Sequence, residues 1–279
     1  MRVDLPKLGI IAGNDDLPRC VIERCRKINR PYFVLAFKGQ TDPQTLDGSD
    51  HAWVRLGAVG KALGYMRVAG VEELVLAGGI RRPSWTELRP DRVGAKWLAK
   101  LAKHARGDDS IFRILTAELE KEGFRVIGVE DIIGDEILAS AGASGAHRPD
   151  EQAEQDIARG LEIATHLGRA DVGQSVIVQQ GIVLGVEAVE GTNALIKRCA
   201  ELRRPGPGGV LIKIAKPGQE RRVDLPTIGS KTVRLTVASG LRGIAVEAGG
   251  VQILDKSEVI RLADEHGIFL AGVSCQKSE

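Results

Sequence analysis

The sequence predicts an α/β protein of two domains: an N-terminal parallel-sheet, Rossmann-like domain and a C-terminal mixed α/β domain. Three observations predict it. Short apolar runs ending in glycine alternate with amphipathic stretches through the first half, the pattern of a parallel sheet covered by helices. The second half carries two β-rich runs around a Gln-Gly pair, a hairpin signal, before alternation resumes. A length of 279 residues suits two domains at roughly 150 residues each.

The first-half elements follow in order. KLGIIAG (7–13) is a short apolar run closed by glycine, as in a strand buried on both faces. DLPRCVIERCRKIN (16–29) predicts a helix, with Pro18 in its first turn and apolar or cysteine side chains at 17, 21, 22 and 25. PYFVLAF (31–37) and HAWVRL (51–56) are strands. AVGKALGYMRVAG (58–70) is a helix stopped by Gly70. ELVLAGG (73–79) is a strand ending in Gly-Gly. A helix spans 93–105, a second starts near Asp108 or Asp109, and FRVIGV (124–129) is the closing strand.

ILASAGASGAHRPDE (137–151) is small and without periodicity, the composition of a linker. The predicted domains are therefore 1–135 and 150–279, with 136–149 between them. Pro149 and the acids at 150 and 151 open a helix to about Leu167. SVIVQQGIVLGVEAVEG (175–191) is the hairpin. TNALIKRCAEL is a helix with Thr192 as its N-cap. A loop over 203–209, the strand GVLIKIA (209–215), a helix near 230–239, the strands GIAVEA and VQILD, a helix at 256–266 and the strand IFLAGV complete the chain.

Charged residues make up 27% and the net charge is +2, so bulk charge gives no nucleic-acid binder. No run of about 18 apolar residues exists, which predicts no membrane-spanning helix. Asp4 and Pro6 interrupt the stretch where a signal peptide needs an apolar core, so a cytoplasmic protein is expected. Cys20, Cys25, Cys199 and Cys275 form no CxxC pair and read as small hydrophobes in a reducing compartment. The five histidines lack zinc-ligand spacing.

Five segments could carry chemistry, and each has a plainer structural reading. GIIAGNDDL after the first strand lacks the GxGxxG phosphate fingerprint; it reads as an anion-binding βα turn or an ordinary one. In AGGIRRPSW (77–85), Gly78 and Gly79 permit close backbone approach, and Arg81 or Arg82 could fork onto a phosphate; otherwise this is a solvated loop. In ARGDDS (105–110), Asp108 and Asp109 are helix caps or Mg²⁺ ligands. In VEAVEGTN (186–193), Glu187 and Glu190 follow a strand and Gly191-Thr192 starts a helix; Glu190 is a ligand, a base or a surface acid. KIAKPGQERRVDLPTIGSK (213–231) surrounds Glu220 and Asp224 with Lys213, Lys216, Arg221, Arg222 and Lys231 in a loop shaped by Pro and Gly. Cations around a carboxylate suit phosphate plus metal, and equally a basic surface loop.

Taken together, KLGIIAGNDDLP, LAGGIRRP, ARGDDSIFRIL, DVGQSVIVQQGIVLGVEAVEGTNALI and KPGQERRVDLPTIG resemble, in order, the LpxI-type UDP-2,3-diacylglucosamine pyrophosphatases of lipid A biosynthesis. The resemblance implies two domains and a hydrolase. It would cut the pyrophosphate of UDP-2,3-diacylglucosamine to UMP and 2,3-diacylglucosamine 1-phosphate, with water attacking the α-phosphorus and Mg²⁺ (or Mn²⁺) as cofactor. It places the essential acid of the DLPTIG stretch at Asp224, as metal ligand or water-orienting group, with Asp108, Asp109 and Glu190 as further metal candidates. Substrate contacts are expected at Gly78, Gly79, Arg81, Gly191, Thr192, Lys216, Gln219, Arg222 and Thr227. A lipid substrate implies transient contact with the inner-membrane surface. The alternatives are a hydrolase of another nucleoside-diphosphate compound, or a non-catalytic binder of a nucleotide-sugar lipid. The chain also writes RVDLP twice, at 2–6 and 222–226. Only the second lies in a family segment, so Asp4 is read as a solvated terminal residue.

Overall fold

The computed structural model describes residues 5–81, 88–104 and 108–275, without the side chains of Asp108 and Asp109. It divides into two units, Met1–Asp135 with Glu220–Asp224, and Glu136–Gln219 with Leu225–Glu279.

The first unit is the predicted parallel α/β domain. Strands β1 (Leu8–Ala12), β2 (Tyr32–Phe37), β3 (His51–Val54), β4 (Glu73–Ala77) and β5 (Arg125–Val126) form one sheet of order β3-β2-β1-β4-β5. Every pairing is parallel. Strands covered on both faces need no polar alternation, which is why LGIIA, YFVLAF and ELVLA read as continuous apolar runs. Helices α1 (Leu17–Lys27), α2 (Val59–Val68), α3 (Arg92–His104), α4 (Asp108–Lys121) and the short α5 (Glu130–Ile133) connect them. Val21, Ile22 and Cys25 of α1 and Ala62, Leu63 and Met66 of α2 are buried. Phe33, Leu35, Leu63, Met66, Leu74, Trp97 and Val126 belong to one core cluster. The closing strand is shorter than FRVIGV suggests, because α5 begins only four residues after Val126.

The strand order reverses direction between β1 and β4. In open parallel sheets this switch point, at the carboxyl ends of the strands, is where ligands bind.

The second unit is the predicted mixed domain. Its main sheet joins β6 (Gly142–Ser144), β7 (Ser175–Gln179), β8 (Ile182–Val186), β9 (Val210–Lys213), β11 (Gly243–Glu247) and β13 (Phe269–Val273) in the order β6-β13-β11-β9-β7-β8. Strands β9, β11 and β13 are parallel, and β6, β7 and β8 run antiparallel to their neighbours. A small parallel pair forms from β10 (Thr227–Ile228) and β12 (Gln252–Ile253). The helices are α6 (Glu151–Arg169), α7 (Thr192–Cys199), α8 (Ser230–Ala238) and α9 (Lys256–Glu265).

The stretch 136–149, expected to link the domains, is built into this unit. Gly142–Ser144 pairs antiparallel with β13, and Ala139 lies in the core. Gly, Ala and Ser carry no hydrophobic period, so an edge strand made of them reads as a linker. The close approach shows on the partner strand, where a Cβ on Gly272 of β13 would lie 1.8 Å from the Ser140 carbonyl oxygen.

The Gln-Gly hairpin forms as predicted. Gln180 and Gly181 both have positive φ, 52° and 76°, as a type I′ turn requires. The two turn amides are fixed by Asp156 of α6, 1% exposed, whose oxygens accept from Gln180 N at 3.0 Å and Gly181 N at 2.7 Å. Asp156→Ala leaves both amides unbonded and is expected to cost about 2–3 kcal/mol of stability, read as a lower urea midpoint.

Candidate functional site

At the switch point of the first unit, the turns after β1 and β4 interlock. Gly13 N donates to Ala77 O at 2.8 Å and Asn14 N to Gly79 O at 2.7 Å. Gly78 has φ +84°, and a Cβ there would sit 2.2 Å from Asn14 O. Asp15, at φ +70°, turns its carboxylate onto the donors an anion would seek: Oδ1 accepts from Leu17 N at 2.9 Å and Oδ2 from Gly79 N at 3.2 Å. A carboxylate occupies this helix start, the arrangement of an ordinary βα turn. Gln40 grips the Arg81 backbone, donating to its carbonyl at 3.1 Å and accepting from its N–H at 2.9 Å. Arg82 lies outside the described residues.

Glu220–Asp224, the heart of the basic loop, clusters with the first unit. Arg222 anchors it. Its Nε and Nη2 donate to the two Glu220 oxygens, each at 2.9 Å, and Nη1 donates to Glu120 of α4 at 2.7 Å. These carboxylates hold the guanidinium charged well above its usual range, and Arg222 holds Glu220 below the usual carboxylate range. Val223 packs on the first unit's core. Asp224 N donates to Glu220 O at 3.1 Å, closing a turn that presents a half-buried Asp224 at its end. In the same unit, burial pushes the Glu130 carboxyl up, with the Arg221 cation acting against that shift.

The second unit gathers polar groups at the carboxyl ends of β9 and β11. Lys216 Nζ donates to Asp171 at 2.7 Å, and Lys216 N to Gln219 Oε1 at 2.9 Å. Gln219 is buried. Ala215 N donates to Glu247 Oε2 at 2.8 Å. Thr192 is the first residue of α7 and Gly191, at φ +79°, is the cap, one residue earlier than expected. The Thr192 hydroxyl instead bonds Glu187 and Lys213. Glu190 is engaged by Arg198, at 3.2 Å from Nε and 2.9 Å from Nη2, and accepts from Ala188 N. The Thr227 hydroxyl lies 3.2 Å from Leu225 O and 3.3 Å from Gln252 Oε1.

The predicted residues therefore fall into three groups. Gly78, Gly79 and Arg81 line the switch point of the first unit. Asp224 and Arg222 share the turn held to that unit. Lys216, Gln219, Glu190, Gly191, Thr192 and Thr227 belong to the second unit. Asp108 starts α4 with Asp109 beside it, and their side chains lie outside the described residues. Asp171, Ser175 and Glu247 went unnoticed in the sequence. Each stands at a strand end or just before one, where ligands of open α/β sheets gather.

Comparison with known proteins matches a family model to each half of the chain. The LpxI N-terminal domain matches residues 7–136 and the LpxI C-terminal domain residues 140–271. A UDP-2,3-diacylglucosamine pyrophosphatase LpxI of Caulobacter vibrioides is 39% identical over 278 residues, spanning 97% of this chain and 99% of that protein. Among solved structures, a carboxyaminoimidazole ribonucleotide synthase from Aspergillus clavatus, complexed with ATP, is 12% identical over 72% of this chain and 45% of its own. Its TM-score is 0.24. With both domain models matched in order across nearly the whole sequence, the chain belongs to the LpxI family.

Proposed function

We propose that the chain hydrolyses the pyrophosphate of UDP-2,3-diacylglucosamine to UMP and 2,3-diacylglucosamine 1-phosphate. The observation that carries this reading is the near-full-length match to a pyrophosphatase of that name. In the proposed reaction, water attacks the α-phosphorus. The new O–P bond forms on UMP, the anhydride P–O bond breaks, and the leaving oxygen departs on the lipid phosphate. Asp224 is the acid we place at the chemistry.

Mg²⁺ or Mn²⁺ belongs to the proposal, because a diphosphate must be neutralised before water can approach. The donor set suits a hard cation held largely by phosphate oxygens. Among the described residues no group of three or more His, Cys, Asp or Glu is poised to cage a metal. Mg²⁺ needs only one or two carboxylates beside phosphates. Asp224 fits that role. Glu190 would enter it only by giving up Arg198, which engages it together with a backbone amide. Lys216 would meet phosphate from its place beside Asp171. Arg222 would do so only by exchanging a carboxylate for it, so here it serves to anchor Asp224.

Among the described residues no helix is long and apolar enough to cross a membrane. The proposed cytoplasmic enzyme meets its lipid at the inner-membrane surface, with acyl burial at about 0.8 kcal/mol per CH₂ supplying much of the affinity. The test is a single turnover in H₂¹⁸O with Mg²⁺. We expect UMP bearing the label. Label in the lipid phosphate would move the attack to the other phosphorus. Tight lipid binding without UMP under either metal would make the chain a binder instead.

A further inference from the structure

The second unit buries a charged relay at the carboxyl end of β9. Lys213, the last residue of that strand, is 6% exposed, and Ser175, its register partner on β7, is 0% exposed. Directly opposed residues share a face of the sheet. Above them lies the Thr192 hydroxyl. It accepts from Lys213 Nζ at 2.8 Å, donates to Glu187 Oε1 at 2.9 Å and lies 3.3 Å from Ser175 Oγ. A hydroxyl has one proton and two lone pairs. With its proton on Glu187, both lone pairs face Lys213 and Ser175, so the relay has one direction.

Glu187 is 6% exposed. Its own N–H is fixed on Ser175 O at 2.8 Å, and Gly173 packs so tightly under its carbonyl that a Cβ would sit 2.1 Å away. Its second oxygen, Oε2, is enclosed and has no hydrogen-bond partner among the described residues. A carboxylate half satisfied in the interior is destabilising, because its unpartnered oxygen has lost its water without gaining a donor. The same arrangement is a good way to hold a buried ammonium in one direction. It does so beside the first amides of α7, an end of a helix that favours negative charge.

We infer that Lys213 is a phosphate-binding cation for a phosphoanhydride, and that Glu187 is a positioning residue that aims it through Thr192. This rests on the pyrophosphatase reading above for the identity of the anion, and on the relay for the residues.

The test pairs hydrolysis with binding of a non-hydrolysable anion. Methylenediphosphonate is titrated calorimetrically, with Mg²⁺ present, into wild type, Lys213→Met, Thr192→Val and Thr192→Ser. UMP release by each is timed alongside. Lys213→Met should lose diphosphonate binding and lower kcat about 10²- to 10³-fold. Thr192→Val keeps the shape but breaks the relay, and should lower kcat about 10- to 100-fold with an unchanged thermal midpoint. Thr192→Ser restores the hydroxyl and should run close to wild type. Because the relay acts as one unit, Thr192→Val should add no loss on top of Lys213→Met. The inference fails if Lys213→Met or wild type shows the other's affinity, if Thr192→Val turns over like wild type, or if the two losses multiply. Wild type that binds the diphosphonate through Lys213 but releases no UMP keeps the anion site and rejects the pyrophosphatase reading. Wild type that hydrolyses, beside Lys213→Met at an equal rate, does the reverse.

Discussion

Asp224→Ala is expected to lower single-turnover UMP release by about 10²- to 10⁴-fold, the range a positioned acid or base contributes. Substrate binding and the thermal midpoint should change little. The local structure explains why these readouts separate. The turn carrying Asp224 has anchors besides any made by its carboxylate: Arg222 on Glu220 and Glu120, Val223 on the core, and a backbone bond from Asp224 N to Glu220 O. Removing the carboxylate should therefore leave the turn in place. Asp224→Asn keeps the shape without the charge and should be nearly as slow, whether the acid ligates a metal or orients water. Asp4→Ala, in the first RVDLP, is the control and should hydrolyse at the wild-type rate. Rapid-quench kinetics with trapped substrate measure all three. Turnover by Asp224→Ala close to wild type would remove Asp224 from the chemistry.

The sequence made the fold legible where burial wrote a period. LGIIA, YFVLAF and ELVLA announced a parallel sheet, and Gln180-Gly181 announced its hairpin through the one turn type that needs two positive φ values. It hid β6, because Gly-Ala-Ser has no apolar period and its pairing partner lies more than a hundred residues away. The site was legible as segments but not as partnerships. Arg222 and Lys216 read as phosphate cations from their charge, and only three dimensions bring Glu120 to the first and Asp171 to the second. Lys213 was visible as a charge inside an apolar strand and Glu187 as one of two acids after another. Glu190 drew attention as the acid nearer the helix start, yet it is the exposed acid bound to a surface arginine, while Glu187 is buried. Spacing cannot report burial, and burial separates the two.

Glu73→Ala should cost about 3–5 kcal/mol of stability, the usual effect of stripping the partner from an enclosed ion. Glu73 opens β4 at 3% exposed, and Arg30, just before β2, is 6% exposed. The two are paired, and Arg125, opposite Glu73 in the β4–β5 register, joins from the solvent side. Arg30 Nε also donates to Pro6 O at 3.2 Å. Burial lowers the Arg30 pKa, yet arginine stays charged near neutrality, so without Glu73 its charge is enclosed and uncompensated. This cluster lies at the amino ends of the strands, the edge opposite the switch point. Its loss should therefore shift the unfolding midpoint without changing the turnover of molecules that remain folded. The double variant Arg30→Met with Glu73→Leu removes both charges and should recover most of the stability, because an apolar pair of similar size replaces a costly buried ion pair. Urea unfolding, with kcat measured below the transition, reads both quantities. A loss under about 1 kcal/mol in Glu73→Ala would mean that the pair behaves as an exposed one. A fall in kcat that tracks no unfolding would mean that the amino edge takes part in function.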